Sequence, residues 1–340
     1  MNKEILAQTA KELVAPGKGI LAADESTGTI KKRFEKIGVE STPESNRIYR
    51  QLLFKTKGIE ESISGVIMFD ETIRQKTDEG VPFPKYLAER GIIPGIKVDK
   101  GKIDMPDHPG EKITQGIEGL PERLAEYKKL GARFTKWRAV ITIGNGIPSD
   151  DCIESNAELL AKFALHSQDQ DLVPIVEPEV LTDGNHDITR NEHVTYQTLK
   201  VVFAKLSDHG VSFSGMLLKP NWVHPGKDSG QKPKDKEVAE ATLRVMREAV
   251  LPEVQGIVFL SGGANPEAST SYLNAMNEIG GVPWELSFSF GRALQQPVLE
   301  SWQGKPDSVD EAQKAFYKRG KLNSLARAGE YKKEMEKDHA

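Results

Sequence analysis

Cysteine is almost absent from this sequence, and that scarcity limits how the chain can be stabilised. Cys152 is the one cysteine among 340 residues, so an intrachain disulfide is excluded. Nothing in the chain requires an oxidising compartment. A chain of this length can instead bury most of its unfolded surface in a packed core.

Long hydrophobic runs are missing as well. No stretch approaches the roughly 20 apolar residues that a membrane-spanning helix needs. The first residues, MNKEILAQTAKELVAPGKG, lack the apolar segment of a signal peptide and have the pattern of an amphipathic helix. We therefore expect a cytoplasmic protein that does not act on membranes. A net charge of −4 argues against broad nucleic-acid binding, so local groups of lysine and arginine are interpreted as sites.

Histidines are few and scattered, which bears on metal binding. The chain has seven, no two of them form an i, i+4 pair, and only His186 and His193 lie close together. Catalytic zinc sites usually draw on clustered histidines. We therefore predict that no metal ion takes part in the chemistry.

One structural unit recurs along the whole sequence. A short apolar run ends in polar or small residues, and a segment with helical periodicity follows. The runs are nearly continuous in apolar character, as expected of parallel strands covered on both faces. They are Gly19–Asp24, Gly65–Asp70, Ile93–Asp99, Arg133–Val140, Val173–Val180, Ser214–Lys219, Gly256–Ser261 and Leu286–Gly291.

Eight such units predict an α/β fold, the (β/α)8 or TIM barrel, formed as a single domain over residues 1–340. We expect one further helix before the barrel and a helical tail after it. A doubly wound sheet is the alternative that the pattern leaves open. The stretches LTDGNHDITRNE and KPNWVHPGKDSGQKPKDKE resemble loops and would lie at the carboxyl face, where barrel active sites are built.

Residue types also mark helix ends. Asn265 and Pro266 suit the N-cap and first position of a helix that Gly280 would end. Ser308 and Glu311 have the spacing of a capping box, in which each side chain binds the other's backbone.

Charged residues occur within these apolar runs and at their ends, where an isolated buried charge would be costly. Because alternate residues of a barrel strand point inward, Lys136 should share a face with Arg138, and Glu177 with Glu179. Cations in this mouth would bind an anionic substrate, and the acids would move protons. The alternative is that these residues form interior ion pairs with a purely structural role. Other charged residues at run ends are Asp24, Lys97, Asp99, Lys219 and Arg292.

Lys219 is the sharpest candidate for covalent chemistry. It follows three apolar residues and precedes Pro220, so its amine would lie in a desolvated mouth. Burial and a neighbouring cation such as Lys136 would both lower the pKa of Lys219 and supply free amine for a Schiff base. Taken alone, the position also fits a lysine that extends from a strand end to solvent.

Glycine-rich segments follow the last two predicted strands. The stretch LSGGAN, residues 260–265, precedes a helix, so its backbone N–H groups could bind a phosphate. Ser289, Gly291 and Arg292 end the eighth run. Phosphate sites after strands seven and eight are frequent in this fold, so the two segments together predict one.

Ordered motifs over nearly the whole chain indicate a family. They are GILAADESTGTIKKR (19–33), GVPFPK (80–85), GIKVDKG (95–101), KWR (136–138), VPIVEPE (173–179), LLKPN (217–221), FLSGG (259–263) and FGRALQ (290–295). With these motifs the chain resembles the class I fructose-bisphosphate aldolases, which are metal-independent Schiff-base enzymes. The resemblance implies reversible cleavage of fructose 1,6-bisphosphate to dihydroxyacetone phosphate and glyceraldehyde 3-phosphate, without a cofactor. It also implies a homo-oligomer, a tetramer.

The resemblance implies a role for each matching residue. Lys219 would form the imine, Glu177 would help to dehydrate the carbinolamine, and Glu179 would support it. Lys136 would be the cation beside the imine, and Asp24 would orient the substrate and assist carbon–carbon cleavage, for which Glu177 is the other candidate base. The residues that would bind one phosphate are Ser26, Thr29, Lys32, Arg33, Lys97 and Arg138. The residues that would bind the other phosphate are Ser261, Gly262, Ser289, Gly291 and Arg292.

The chain departs from the family pattern in three places. Animal members end in a tyrosine that folds over the site and aids enamine protonation, whereas this chain ends MEKDHA. Tyr331 lies too far from that end to be an expected substitute. Asp70 stands where many relatives have histidine, and Thr29 replaces a common serine but keeps the hydroxyl.

Two other functions fit parts of the pattern. A transaldolase or sugar-acid aldolase would share Lys219 but would not need two phosphate sites. A scaffold or cytoskeletal partner would not need Lys219 at all, and the intact set of Asp24, Lys136, Glu177 and Lys219 argues against that role alone.

Overall fold

A computed structural model describes residues 1–337, and its parallel strands close into a barrel. The strands are β1 Gly19–Ala23, β2 Ile63–Met68, β3 Ile93–Lys97, β4 Lys102–Asp104, β5 Lys112–Thr114, β6 Phe134–Ile141, β7 Val173–Val180, β8 Leu217–Leu218, β9 Gly256–Phe259 and β10 Glu285–Phe290. Around the barrel the order is β1–β2–β3–β6–β7–β8–β9–β10, and β10 pairs again with β1. This closure confirms the TIM barrel and excludes the doubly wound sheet. Strands β4 and β5 form a separate antiparallel hairpin, which the sequence analysis did not predict.

Helices surround the barrel and continue past its last strand. The α-helices within residues 1–337 are α1 Lys3–Leu13, α2 Thr27–Glu35, α3 Pro43–Phe54, α4 Asp70–Ile73, α5 Phe83–Glu89, α6 Leu120–Lys129, α7 Asp150–Asp169, α8 Ile188–Asp208, α9 Asp235–Ala249, α10 Pro266–Ile279, α11 Arg292–Trp302 and α12 Val309–Arg327. Short 3-10 turns occupy Ile59–Glu61, Phe213–Gly215, Pro306–Ser308 and Lys333–Lys337. No helix in this part of the chain is long and apolar enough to cross a membrane.

The strand Val173–Val180 has its predicted bounds, and the other seven predicted strands differ from theirs by one to three residues at an end. Strand β2 stops before Asp70, which is the first residue of α4. Strand β8 has two residues, although a strand from Ser214 was predicted, because the chain makes a 3-10 turn there and Pro220 has no N–H for the ladder. The Lys219 N–H still donates to the Val176 carbonyl at 2.8 Å, which fixes Lys219 at the end of the barrel.

The predicted helix ends are partly confirmed. The Asn265 side chain caps α10, and Gly280 ends that helix at φ +56°. The capping box at Ser308 was wrong: its φ of −98° and ψ of 5° are not the extended N-cap geometry, and its side chain makes no capping hydrogen bond within residues 1–337. The loop predicted after β7 ends earlier than expected, because Asp187 caps α8 through the Arg190 N–H at 2.7 Å.

The interior of the barrel is apolar at its amino end. Helix α1 closes this end with Leu6, Ala10 and Leu13, which cluster with the inward residues of the strands. Those inward residues include Ile20, Phe134, Ile175, Leu217 and Val258. Because side chains alternate along a strand, the next inward positions lie two residues further on, towards the carboxyl end. Polar residues can therefore meet at that end without entering the packed half.

Close packing inside the barrel makes one glycine critical. A Cβ on Gly95 of β3 would stand inside the van der Waals surface of the Phe134 ring. Gly95→Ala should therefore lower the free energy of unfolding by about 1–3 kcal/mol, measured by urea denaturation. Gly28→Ala in α2 is the control, because no atom lies within 4 Å of a Cβ there. The control should be neutral or more stable by up to ~1 kcal/mol, and equal stability of both variants would contradict the packing.

Candidate active site

At the carboxyl end of the barrel, the inward-pointing side chains are charged instead of apolar. Strand register pairs Arg138 of β6 with Glu177 of β7, and alternation along β6 turns Lys136 to the same side. Trp137 points the other way, and its ring stacks on Phe163 of α7 at a centroid distance of 5.7 Å. The inward charges are thus set by the same alternation that fills the core.

Four of these side chains form one buried ion cluster. Lys136 Nζ lies 2.6 Å from Asp24 Oδ2 and 3.0 Å from Glu177 Oε2. Lys219 Nζ lies 3.3 Å from Glu177 Oε1. Burying charges of one sign alone would be strongly unfavourable, whereas these two cations and two carboxylates compensate one another.

The cluster shifts the pKa of each member. Burial lowers the pKa of Lys219, and the Lys136 ammonium lowers it further against the opposing effect of Glu177. Burial alone would raise the pKa of Glu177, but Lys136, Lys219 and Arg138 hold it below its ordinary value. The pKa of Asp24 is lowered in the same way, mainly by Lys136 against its burial. The pKa of Lys136 is raised, since Asp24 and Glu177 outweigh its burial. Lys219 is therefore the cation of the pair that loses its proton first.

Two buried polar atoms of the site have no hydrogen-bond partner within residues 1–337. They are Glu177 Oε2 and Ser289 Oγ, although Lys136 lies at ion-pair distance from the former. Buried polar atoms are nearly always hydrogen-bonded in folded proteins. Glu177 Oε2 is compensated by the Lys136 ammonium, whereas the Ser289 hydroxyl is available to hydrogen-bond a bound molecule.

A cavity of about 610 Å³ opens above the cluster, the size of a typical small-molecule site. Every residue proposed from the sequence for catalysis or binding lines it: Asp24, Ser26, Thr29, Lys32, Arg33, Lys97, Lys136, Arg138, Glu177, Glu179, Lys219, Ser261, Gly262, Ser289, Gly291 and Arg292. Tyr331 and Asp70 are not among the lining residues. The Tyr331 hydroxyl donates to Glu336 at 2.9 Å, and Asp70 pairs with Arg74 at 2.9 Å on the surface.

One side of the cavity is formed by α2 and the ends of β3 and β6. Ser26 is the N-cap of α2, and its hydroxyl lies 3.1 Å from that of Thr29. Lys97 Nζ lies 2.8 Å from Asp99 Oδ1. Arg138 forms an ion pair with Glu179, which places that carboxylate beside the cluster as a support for the arginine.

A neighbouring side is formed by the segments after β9 and β10, since β10 pairs with β1, the strand that leads into α2. Gly262 and Gly263 have φ of +54° and +86°, a left-handed conformation that glycine adopts without the steric cost of a Cβ. A Cβ on Gly263 would lie 3.1 Å from Arg292 Nη2. Arg292 begins α11, whose amino terminus adds a favourable field for an anion.

A buried network behind the first side was missed by sequence reasoning. Glu25 Oε2 accepts from Arg50 Nη2 at 2.6 Å, its Oε1 accepts from Gln295 Nε2 at 2.8 Å, and the carboxylate also pairs with Arg33. Burial would raise the pKa of Glu25, but Arg33 and Arg50 lower it. The network fixes the Arg33 guanidinium at the cavity wall. Other lining residues that were given no role from the sequence include Lys36, Asp99, Lys102, Asp183 and Lys227.

Residues 1–337 hold no group of three histidine, cysteine, aspartate or glutamate side chains arranged to bind a metal ion.

The fold and this mouth define an enzyme of the TIM-barrel class with an anion-binding cavity, and comparison with known proteins identifies the family. The model of the family "Fructose-bisphosphate aldolase class-I" matches residues 5–340. A "Probable fructose-bisphosphate aldolase class 1" of Xylella fastidiosa is 52% identical over 333 residues, covering 98% of this chain and 100% of that protein. A "Fructose-bisphosphate aldolase 5, cytosolic" of Arabidopsis thaliana is 52% identical over 327 residues, covering 96% and 91%.

A solved structure agrees with these relatives. The fructose-bisphosphate aldolase of Plasmodium falciparum, in complex with TRAP and a small-molecule inhibitor, superposes with a TM-score of 0.96 at 49% identity. The match covers 97% of this chain and 96% of that one. The chain belongs to the class I fructose-bisphosphate aldolases. It is a carbon–carbon lyase that cleaves fructose 1,6-bisphosphate in glycolysis, so the transaldolase and sugar-acid aldolase alternatives are set aside.

The Glu25 network makes a test of stability possible. Glu25→Gln should lower the free energy of unfolding by about 3–5 kcal/mol, because Arg50 remains buried without its carboxylate. Glu44→Gln is the control: Glu44 pairs with Arg47 at 2.6 Å on the surface, so its loss should cost at most ~1 kcal/mol. Urea denaturation at neutral pH measures both.

The same pair of variants tests the sign of the pH dependence. Because the folded-state pKa of Glu25 is lowered, its contribution is present above its unfolded-state pKa and is lost as the pH falls through the folded-state value. The stability difference between the unsubstituted protein and Glu25→Gln should therefore shrink in acid. A difference that stays constant with pH would contradict an ion-paired carboxylate.

Proposed function

We propose that the chain cleaves fructose 1,6-bisphosphate through an imine between Lys219 and the C2 carbonyl carbon of the sugar. The observation that carries the proposal is the buried Lys219 amine, with its lowered pKa, 3.3 Å from Glu177. A free amine attacks C2 to give a carbinolamine, and the Glu177 carboxylate can take a proton from nitrogen. Glu177 passes this proton to the C2 oxygen, which completes the neutral carbinolamine. The Glu177 carboxyl then delivers a second proton, taken from solvent, to the C2 hydroxyl, which leaves as water and leaves an iminium on Lys219.

The imine then receives the electrons of the broken bond. As the C3–C4 bond breaks, its electron pair moves to the iminium nitrogen and leaves an enamine, while the C4 hydroxyl loses its proton. Glu177 and Asp24 are the candidate bases, and the contact of Glu177 Oε1 with Lys219 Nζ at 3.3 Å supports Glu177. Asp24 is tied to Lys136 at 2.6 Å, which suits a carboxylate that orients the sugar hydroxyls.

The remaining steps release both products. Glyceraldehyde 3-phosphate leaves first, and the enamine takes a proton at C3. Water then adds to the imine and frees dihydroxyacetone phosphate and the Lys219 amine. Every bond made to the enzyme is broken again, so the cycle is reversible and needs no redox partner.

The two sides of the cavity would hold the two phosphates. The Leu260 N–H donates to the Pro220 carbonyl at 3.1 Å, so the segment after β9 lies directly beside Lys219. That proximity favours the phosphate on C1, one carbon from the imine, at Ser261, Gly262, Ser289, Gly291 and Arg292. The phosphate on C6 would lie at Ser26, Thr29, Lys32, Arg33, Lys97 and Arg138.

We also propose that the protein works in the cytoplasm as a homotetramer of single-domain chains. The Arabidopsis thaliana relative is named as cytosolic. Light scattering coupled to gel filtration measures the oligomer, and a monomeric or dimeric mass would contradict the tetramer.

The imine can be trapped chemically. Borohydride reduction in the presence of dihydroxyacetone phosphate should leave a stable label on Lys219, located by peptide mass mapping, and Lys219→Met should lose the label and cleavage activity. Lys100→Met is the control, since Lys100 is an exposed lysine that is not among the residues lining the cavity. Cleavage by folded protein that traps no label on Lys219 would contradict the mechanism.

The role of Lys136 predicts a change in pH dependence. Lys136 lowers the pKa of Lys219, so Lys136→Met should raise that pKa and move the onset of imine formation to higher pH. The saturating rate should also fall by about 10²–10⁴-fold, as for loss of a group that assists proton transfer. Trapping rates across a pH series measure both effects. An unchanged or more acidic onset in a folded variant would show that Lys136 does not tune Lys219.

A further inference from the structure

Lys227 reaches the proposed C1-phosphate subsite from the long segment between β8 and α9. Its Nζ lies 3.3 Å, and Arg292 Nη2 lies 3.1 Å, from the position that a Cβ on Gly263 would occupy. Both side chains line the cavity. The ammonium and the guanidinium therefore flank one glycine of the loop proposed to bind phosphate, although nothing in the sequence pattern assigned Lys227 to the site.

Backbone hydrogen bonds hold Lys227 in this place. Its own N–H donates to the Thr182 carbonyl at 2.8 Å, and the Gly226 N–H donates to the His186 carbonyl at 2.8 Å. The Thr182 hydroxyl in turn donates to the Gly262 carbonyl at 3.2 Å. The segments after β7, β8 and β9 are thus bonded together, so the base of the Lys227 side chain is fixed relative to the glycine loop.

The Lys227 ammonium already has a partner that a substrate could replace. Asp183 Oδ1 lies 2.9 Å from Lys227 Nζ, and the two side chains are 66% and 52% exposed. An ion pair this exposed contributes little free energy, so exchanging it for another anion is inexpensive. A phosphate beside Gly262 and Arg292 offers Lys227 a dianion in place of the single charge of Asp183.

We propose that Lys227 is a further substrate-binding residue, which leaves Asp183 and contacts the C1 phosphate of the ketose when substrate binds. The inference rests on the proposed function, because it assumes that the C1 phosphate of the Lys219-bound sugar lies at the glycine loop. Arg292 supplies one positive charge at the glycine loop, and Lys227 adds another beside Gly263, while Arg33 Nη2 lies 3.9 Å from the position of a Cβ on Gly291 at the edge of the same subsite. Asp183 acts as a competitor for Lys227 and weakens substrate binding.

The test compares the concentration dependence of borohydride trapping on Lys219 between variants. Lys227→Met should raise the half-saturating concentration of dihydroxyacetone phosphate by about three- to tenfold and leave the saturating rate nearly unchanged. Lys227→Arg should restore most of the affinity. Asp183→Asn should lower the half-saturating concentration, and this gain should vanish in the double variant with Lys227→Met. Lys232→Met is the matched control, an exposed lysine of the same segment that is not among the lining residues.

Phosphate-free dihydroxyacetone separates binding from support of the loop. Its concentration dependence should not differ between the unsubstituted protein and Lys227→Met. Equal behaviour of Lys227→Met and Lys232→Met with dihydroxyacetone phosphate overturns the proposal, and so does an equal loss with the phosphate-free ketone. If the unsubstituted protein traps no label, the imine is refuted instead, and the KM for fructose 1,6-bisphosphate cleavage decides the role of Lys227 by the same comparison.

Discussion

The Lys136 ammonium is shared by two carboxylates from separate parts of the barrel, Asp24 after β1 and Glu177 on β7. Moving one charge out of water costs several kcal/mol, so none of the three is stable there without the others. Once Lys219 is an uncharged amine, one ammonium and two carboxylates leave a net charge of −1 around it. The iminium proposed on Lys219 would restore neutrality. The cluster that favours the uncharged amine would therefore also favour the cationic intermediate of the proposed mechanism.

The position of this cluster follows from how the barrel divides its interior. Helix α1 and the inward apolar residues fill the amino end, so the strands are anchored by a core that needs no charge. On β7 the inward residue changes from Ile175 to Glu177 within one step of the alternation. The packed apolar end of the barrel therefore fixes the position of the charged end, because neighbouring inward residues of one strand belong to each. Catalytic groups need this kind of rigid support to keep a fixed geometry.

The sequence was sufficient where a local pattern encodes the structure. Alternation along β6 and β7 predicted which charges point inward, and residue types predicted both ends of α10. The Glu25–Arg50–Gln295 network was missed because its members come from the end of β1, α3 and α11, and no spacing in the sequence relates them. Lys227 was missed for a similar reason, since its direction depends on hydrogen bonds between three loops. Side-chain contacts that form only when the barrel closes cannot be predicted from the periodicity of apolar residues.

The two phosphate sides are held in physically different ways. Arg33 is fixed by the buried Glu25 carboxylate, which also binds Arg50 and Gln295, so moving it would disturb a fully bonded network. Lys227 is held by one exposed carboxylate, Asp183, and can change partner at little cost. A fixed cation contributes orientation, because it lies in place before the sugar arrives. A cation that can change partners contributes less binding affinity than a fixed cation, but it releases its phosphate more easily. In the proposed mechanism the C1 phosphate leaves last, with the second product, so an adjustable contact on that side would limit how strongly the product is retained.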